Sequence, residues 1–181
     1  MAQSSLTLVM GPARSGKSRW AEHLAASTSL PVTYVATGAN LPDDDDWQQR
    51  LCLHRSRRPA SWTTAEVGFE LAPFLNGMAS EQLAMVDSLG SWVAWGLDLD
   101  GASWDATCTQ LLASLHTCPA ELIVVSEQVG WGVVPSTVIG GLFRDRLGAL
   151  EQRLVSVASA VWLVVAGRAI NVLASSLPVP P

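Results

Sequence analysis

The sequence predicts an α/β protein with a mostly parallel central sheet covered by helices on both faces. Three observations carry this. Short apolar runs alternate with helical patterns, as in βαβ units. The runs are of the buried type, as in a sheet covered on both sides. The first run, Leu6–Met10, passes through a glycine-bearing turn straight into a helix. The chain has 181 residues, 49% of them hydrophobic and 15% charged, enough apolar material for one domain over 1–181.

The elements follow in order. The helix after the turn reaches about Ala26, and Leu30-Pro31 breaks it. Val32–Ala36 (VTYVA) is a second strand, β-branched and aromatic. A loop from Gly38 holds Pro42 and the run Asp43–Asp46, which reads as a solvated surface. Trp47 to about Arg55 is helical, and Arg58-Pro59 ends it. Ser61–Glu66 is a short extended segment, and Phe69–Phe74 a helix. Leu83–Val86 is a third core strand ending on Asp87, with helices over Ser91–Leu97 and Trp104–His116. Leu122–Val125 is a fourth strand and Gly130–Pro135 a loop. A long helix runs from about Ser136 or Thr137 to Ser159, then a fifth strand over Val161–Val165 and a short sixth over Ile170–Leu173. The tail, about 174–181, reads as frayed.

Composition excludes several classes. A net charge of −5 excludes a globally basic nucleic-acid binder. No apolar stretch is long enough for a membrane span. The N-terminus, MAQSSLTLVM, lacks a signal peptide's features. Cys52, Cys108 and Cys118 show no metal-ligand spacing, so a reduced cytoplasmic protein is expected. The eight tryptophans read as core and interface residues.

Gly11-Pro12-Ala13-Arg14-Ser15-Gly16-Lys17-Ser18 satisfies G-x-x-x-x-G-K-[ST] between a strand and a helix. The glycines let backbone N–H groups converge on phosphate oxygens, and the helix dipole adds positive potential. Lys17 supplies a mobile charge for the β- and γ-phosphates, and the Ser18 hydroxyl is placed to ligate Mg²⁺. The fold expected is therefore a P-loop NTPase-like three-layer sandwich. Asp87, at the end of a buried strand, is the natural second metal group. The alternative is a strand-end aspartate capping the next helix.

His54 lies in the most basic window, Arg50 to Pro59, which holds four of the eleven Lys and Arg residues. Arginine forks suit phosphate oxygens, and a neutral imidazole can attack phosphorus to form a phosphoramidate. By spacing alone, a solvated helix end with basic residues on its C-terminal dipole explains the window better.

Together these motifs resemble the bifunctional adenosylcobinamide kinase / adenosylcobinamide-phosphate guanylyltransferase family of cobalamin biosynthesis, from Leu6 to about Leu173. The family's G-G-A-R-S-G-K-S-R is Gly11 to Arg19 here, and its Y-[IV]-A-T is Tyr34 to Thr37. Its R-I-x-x-H-R-x-x-R-P-x-x-W-x-T-x-E is carried by Arg50, Leu51, His54, Arg55, Arg58, Pro59, Trp62, Thr64 and Glu66. V-G-x-G-[IV]-V-P matches Val129 to Pro135, F-R-D-x-x-G matches Phe143 to Gly148, and V-W-L-V-V-A-G matches Val161 to Gly167.

The resemblance implies phosphorylation of adenosylcobinamide by ATP or GTP, then transfer of GMP from GTP to the resulting phosphate through a covalent adduct on His54. It implies nucleotide contacts at Ala36, Thr37 and Gly38, at Arg55, Ser56, Arg57 and Arg58, and at Glu66 and Asp87, with Mg²⁺ as cofactor and a homotrimeric assembly. The chain departs from the pattern at Pro12 (glycine in the family), at Gly90 (threonine), and at Glu127-Gln128 (Asn-Glu). Those departures keep two alternatives open: another P-loop small-molecule kinase, or a nucleotide-binding protein with reduced catalysis.

Overall fold

A computed structural model of the chain describes residues 5–39 and 58–180. The described elements run β1 (Leu6–Gly11), α1 (Lys17–Ala26), β2 (Val32–Ala36), β3 (Thr63–Glu66), α2 (Leu71–Asn76), β4 (Leu83–Asp87), α3 (Leu89–Trp95) and α4 (Gly101–Thr117). Then come β5 (Glu121–Glu127), α5 (Val138–Val155), β6 (Ala160–Val165), β7 (Arg168–Asn171) and α6 (Val172–Ser175). The expected helix over Trp47 to Arg55 lies outside the described residues.

Seven strands form one sheet in the order β3-β2-β4-β5-β1-β6-β7. Every neighbouring pair is parallel except β6 and β7. Side chains alternate between faces along a strand, and the core divides accordingly. Leu6, Leu8, Val86, Leu122, Val124 and Val161 face helices α2 to α5, with Leu75, Trp92, Leu111, Leu147 and Leu150. Val9, Met85, Ile123, Val125 and Val164 face Ala21 and Ala25 of α1. Helices thus lie on both sides of a mostly parallel sheet, the three-layer α/β architecture that the strand–helix alternation predicts.

The differences from the sequence expectation are local. The extended segment at 61–66 narrows to Thr63–Glu66 and pairs in parallel with β2. The long helix stops at Val155 rather than Ser159, because the N–H groups of Val157 and Ala158 both return to the Leu154 carbonyl (3.1 and 3.0 Å). Ser159 N–H already donates to Leu6 O in the sheet (2.8 Å). The last strand begins earlier, at Arg168, because Ala166 (φ 50°) and Gly167 (φ 74°) form a two-residue turn. Two consecutive positive φ values match the twist of a tight hairpin, so β7 folds back antiparallel on β6. Asn171 then caps α6 by accepting from Ala174 N (3.1 Å).

Two polar clamps fix α5. Arg146 donates to the carbonyls of Gly96 (2.6 Å) and Leu99 (2.7 Å), and its guanidinium lies 4.9 Å from the centre of the Trp104 ring. Glu151 accepts from Ser126 Oγ and from Gln128 Nε2, both at 2.7 Å. Burial pushes the Glu151 carboxyl up from an ordinary 4.5 to about 6, against the lowering effect of those two donors.

A raised carboxylate pKa makes the folded state the tighter proton binder. Stability associated with Glu151 is therefore fully present below about pH 4.5 and is lost as pH rises to about 6. Glu151→Gln removes this dependence. In urea unfolding, the variant should gain on wild type by up to about 2 kcal/mol between about pH 4 and about pH 7. A difference that stays constant with pH contradicts the assignment.

Candidate active site

The phosphate cradle follows β1 and is shaped by close backbone packing. A Cβ on Gly11 would collide with the Val164 carbonyl and come within 2.7 Å of Ser15 Oγ, so only glycine fits there. Gly16, at φ 100°, occupies the left-handed region immediately before α1. Ser15 is buried. Its N–H donates to Pro12 O (3.3 Å), its Oγ accepts from Lys17 N (3.3 Å), and its carbonyl accepts from Gly167 N (3.0 Å). The β6–β7 hairpin turn thus braces the cradle from outside. Nothing in the sequence motif itself announces this partner.

The strand register brings further candidate residues to the same edge of the sheet. Gly11 pairs with Glu127, and Ala36 pairs with both Asp87 and Glu66. The carboxyl ends of β1 to β5 therefore share one rim, the place where parallel α/β sheets bind ligands. Glu66 lies on this rim, exposed at the end of β3. Asp87 is held by the Tyr34 hydroxyl, which donates to Oδ2 at 3.1 Å. Burial, then the adjacent Asp87 charge, pushes the Tyr34 phenol far above its usual range, so it stays a donor. Arg58 lies over the same ring, 3.2 Å from its centre. Asp87 does not cap the next helix; Ser88 does, its Oγ accepting from Ser91 N (3.3 Å). The expected helix-capping alternative for Asp87 is thus taken by Ser88.

Thr37 is buried, and its hydroxyl is committed to Ser88: it donates to Ser88 O (2.5 Å) and accepts from Ser88 N (3.0 Å). Its carbonyl accepts from Trp95 Nε1 (2.8 Å). The Thr37 side chain therefore ties β2 to the turn after β4. Ala36 and Gly38 flank it on the rim. His54, Arg55, Ser56 and Arg57 lie outside the described residues.

Two departures from the family pattern prove to be one structural unit. Glu127 Oε2 accepts from Gly90 N at 2.9 Å, and a Cβ at position 90 would collide with that oxygen. The side chain absent at 90 is the space that Glu127 fills. Burial raises the Glu127 carboxyl. A Ser88 hydroxyl bond and the Lys17 charge pull it down, the Asp87 charge pushes it up, and the Gly90 amide pulls it down. Gln128 bonds across to Glu151 on α5 and donates its backbone N–H to Gly11 O (3.0 Å). Sequence reading did not reach the Tyr34–Asp87 bond, the Glu151 clamp or the hairpin brace.

Comparison with known proteins gives the family. The family model described as cobinamide kinase / cobinamide phosphate guanyltransferase matches residues 7–172. The chain is 34% identical over 182 residues to the bifunctional adenosylcobalamin biosynthesis protein CobU of Salmonella typhimurium, covering 92% of this chain and 99% of that protein. It is also 34% identical to CobU of Escherichia coli, with the same coverage. With the bifunctional adenosylcobalamin biosynthesis protein CobP of Pseudomonas aeruginosa it shares 38% over 162 residues, 88% of this chain and 92% of that one.

Solved structures show the fold alone. A protein of Pyrococcus horikoshii OT3 superposes with a TM-score of 0.56 at 7% identity, covering 93% of this chain and 85% of that one. An ATPase of a bacterial type III secretion system gives 0.53 at 12%, covering 88% and 50%. The RadB recombinase gives 0.50 at 16%, covering 90% and 74%. What is shared is the α/β architecture, here a mostly parallel seven-strand sheet with helices on both faces. With its cradle, rim and family match over most of its length, the chain belongs to the cobinamide kinase / cobinamide phosphate guanyltransferase family.

Proposed function

We propose that this chain phosphorylates the aminopropanol hydroxyl of adenosylcobinamide, then transfers GMP from GTP to adenosylcobinamide phosphate through a covalent adduct on His54. Its place as a kinase and guanylyltransferase of adenosylcobalamin biosynthesis rests on the family. The observation that supports the finer reading is the position of Arg58. This residue closes the basic window that holds His54, and it stacks on Tyr34, whose hydroxyl holds Asp87. The end of the window therefore lies against the phosphate rim rather than out in solvent.

In the guanylyl half, an imidazole nitrogen of His54 attacks the α-phosphorus of GTP, and pyrophosphate leaves with the electron pair of the broken P–O bond. A phosphate oxygen of adenosylcobinamide phosphate then displaces the imidazole, giving adenosylcobinamide-GDP. Lys17 and the arginines of the window neutralise charge as it develops on the phosphoryl oxygens. Ala36, Gly38 and Glu66, on the same rim, are the nucleoside-side contacts of this reading, with Glu66 as an acceptor for guanine or ribose.

Ser18 and Asp87 are oxygen donors of the type a magnesium ion takes, alongside phosphate and water. Among the described residues no group of three or more His, Cys, Asp or Glu could hold a metal ion. When bound, it would neutralise phosphate charge. ATP or GTP serves the kinase half. No described helix is long and apolar enough to cross a membrane. Cys108 and Cys118 are free and buried, as suits a reducing compartment, and a cytoplasmic location is part of this proposal.

A second reading, a nucleotide-binding protein with reduced catalysis, is less well supported. The changes at Gly90 and Glu127 compensate each other sterically rather than emptying the site.

Incubation with α-labelled GTP and magnesium should leave acid-labile, alkali-stable label on the protein, and addition of adenosylcobinamide phosphate should discharge it. His54→Ala should abolish labelling while leaving the melting temperature within a few degrees of wild type. Properly folded wild-type protein that takes no label contradicts the covalent step. A trimer should scatter light with three times the 19.2 kDa mass of the chain; a monomer contradicts that part of the reading.

A further inference from the structure

We propose that Glu127 is the base that takes the proton from the substrate hydroxyl in the kinase half of the reaction. This rests on the kinase reading above and adds to it a residue that the motif comparison leaves in doubt.

The family pattern puts its carboxylate at position 128. Here residue 128 is glutamine and is engaged elsewhere: its amide donates to Glu151 at 2.7 Å and lies 3.6 Å from Met10 Sδ. Adjacent residues at a strand end point to opposite sides. A one-residue shift therefore separates two roles. Position 128 fastens β5 to α5, and position 127 faces the rim.

Glu127 is in a suitable place for a base. It ends β5, the strand between the cradle strand β1 and the Asp87 strand β4, and its register partner is Gly11. On the neighbouring strand β4, Asp87 opposes Val125 of β5, two residues before Glu127. In a P-loop, lysine marks the β- and γ-phosphates and the strand-end aspartate marks the metal. Glu127 thus stands on the rim between the start of the cradle and Asp87, within the region an accepting hydroxyl would have to reach. One oxygen is anchored by the Gly90 amide. A carboxylate has lone pairs to spare for a second donor. The missing side chain at Gly90 lets it sit there, since any Cβ would displace it.

The step balances. The substrate hydroxyl oxygen bonds to the γ-phosphorus as its proton passes to Glu127. The bond from γ-phosphorus to the bridging oxygen breaks, and its electron pair leaves on the nucleoside diphosphate. Glu127 then returns the proton to water. Burial raises this carboxyl from its usual value. The charged or titratable groups that bear on it are Lys17 of α1 and Asp87 of β4, while Glu151 of α5 responds to its charge in turn.

The test is steady-state kinase turnover of adenosylcobinamide by wild type, Glu127→Gln and Glu127→Asp across pH. Glutamine is isosteric and can still accept from Gly90 N–H, so the fold should survive. The expected result is a fall of about 100-fold or more in kcat for Glu127→Gln, the scale of a lost general base, with the nucleotide KM nearly unchanged. The rise of wild-type kcat/KM with pH, through a value above the usual carboxylate range, should disappear in this variant. Glu127→Asp should keep that rise and recover part of the rate. Wild-type turnover that survives Glu127→Gln, or an unchanged pH profile, overturns the role of Glu127 alone. Wild-type protein that phosphorylates no cobinamide overturns the kinase reading beneath it.

Discussion

The site depends on the register of β5 between β1 and β4. Gly11 opposes Glu127 and Asp87 opposes Val125, so the cradle and the carboxylates come to one rim. A slip of one residue in β5 would turn Glu127 away and bring Gln128 in. The register is held by apolar packing on both faces, with Val124 in one core and Val125 in the other. The polar clamp from Ser126 and Gln128 to Glu151 adds a specific lock. An apolar core tolerates sliding better than a buried carboxylate that must keep its two donors. The clamp thus sets the end of β5, and the end of β5 sets the site.

Two carboxylates shifted by burial lie near the end of β5. Glu127 and Glu151 are both pushed toward the protonated form by burial, and Glu127 adds to the shift of Glu151 by its charge. Holding two such groups near one strand end costs stability. In compensation, each carboxylate receives hydrogen bonds, and Lys17 offsets the one nearer the cradle. The tight turns around the cradle follow a similar logic. Gly11 and Gly16 permit close approach, and the positive φ at Ala166 and Gly167 lets the last hairpin reach Ser15. The V-W-L-V-V-A-G segment therefore packs against the Gly11–Ser18 turn, although it lies some 150 residues from it in sequence.

Features encoded by adjacent residues were legible in the sequence. The cradle is a contiguous motif, and the core strands are apolar runs whose ends bracket Asp87. The strand order was not legible, because pairing partners are distant: Tyr34 reaches Asp87 across 53 residues, and Gly90 reaches Glu127 across 37. The meaning of Glu127-Gln128 depends on which side each residue faces, which residue order alone does not give. Thr37 shows the converse. A residue matched to a nucleotide motif spends its hydroxyl on the backbone of Ser88. The hairpin escaped because Ala166 is not a residue that advertises a left-handed conformation.

The central claim is that one rim, built by β1, β4 and β5, grips the triphosphate and its metal. A crystal structure with magnesium and a non-hydrolysable GTP analogue tests it most directly. The account predicts the β- and γ-phosphates inside the Gly11–Ser18 turn. It also predicts Ser18 Oγ at about 2.1 Å from the magnesium, Asp87 bound to the ion directly or through one water, and Glu127 beside the γ-phosphate. A triphosphate bound away from this rim, or a metal with neither Ser18 nor Asp87 in its coordination shell, would contradict it.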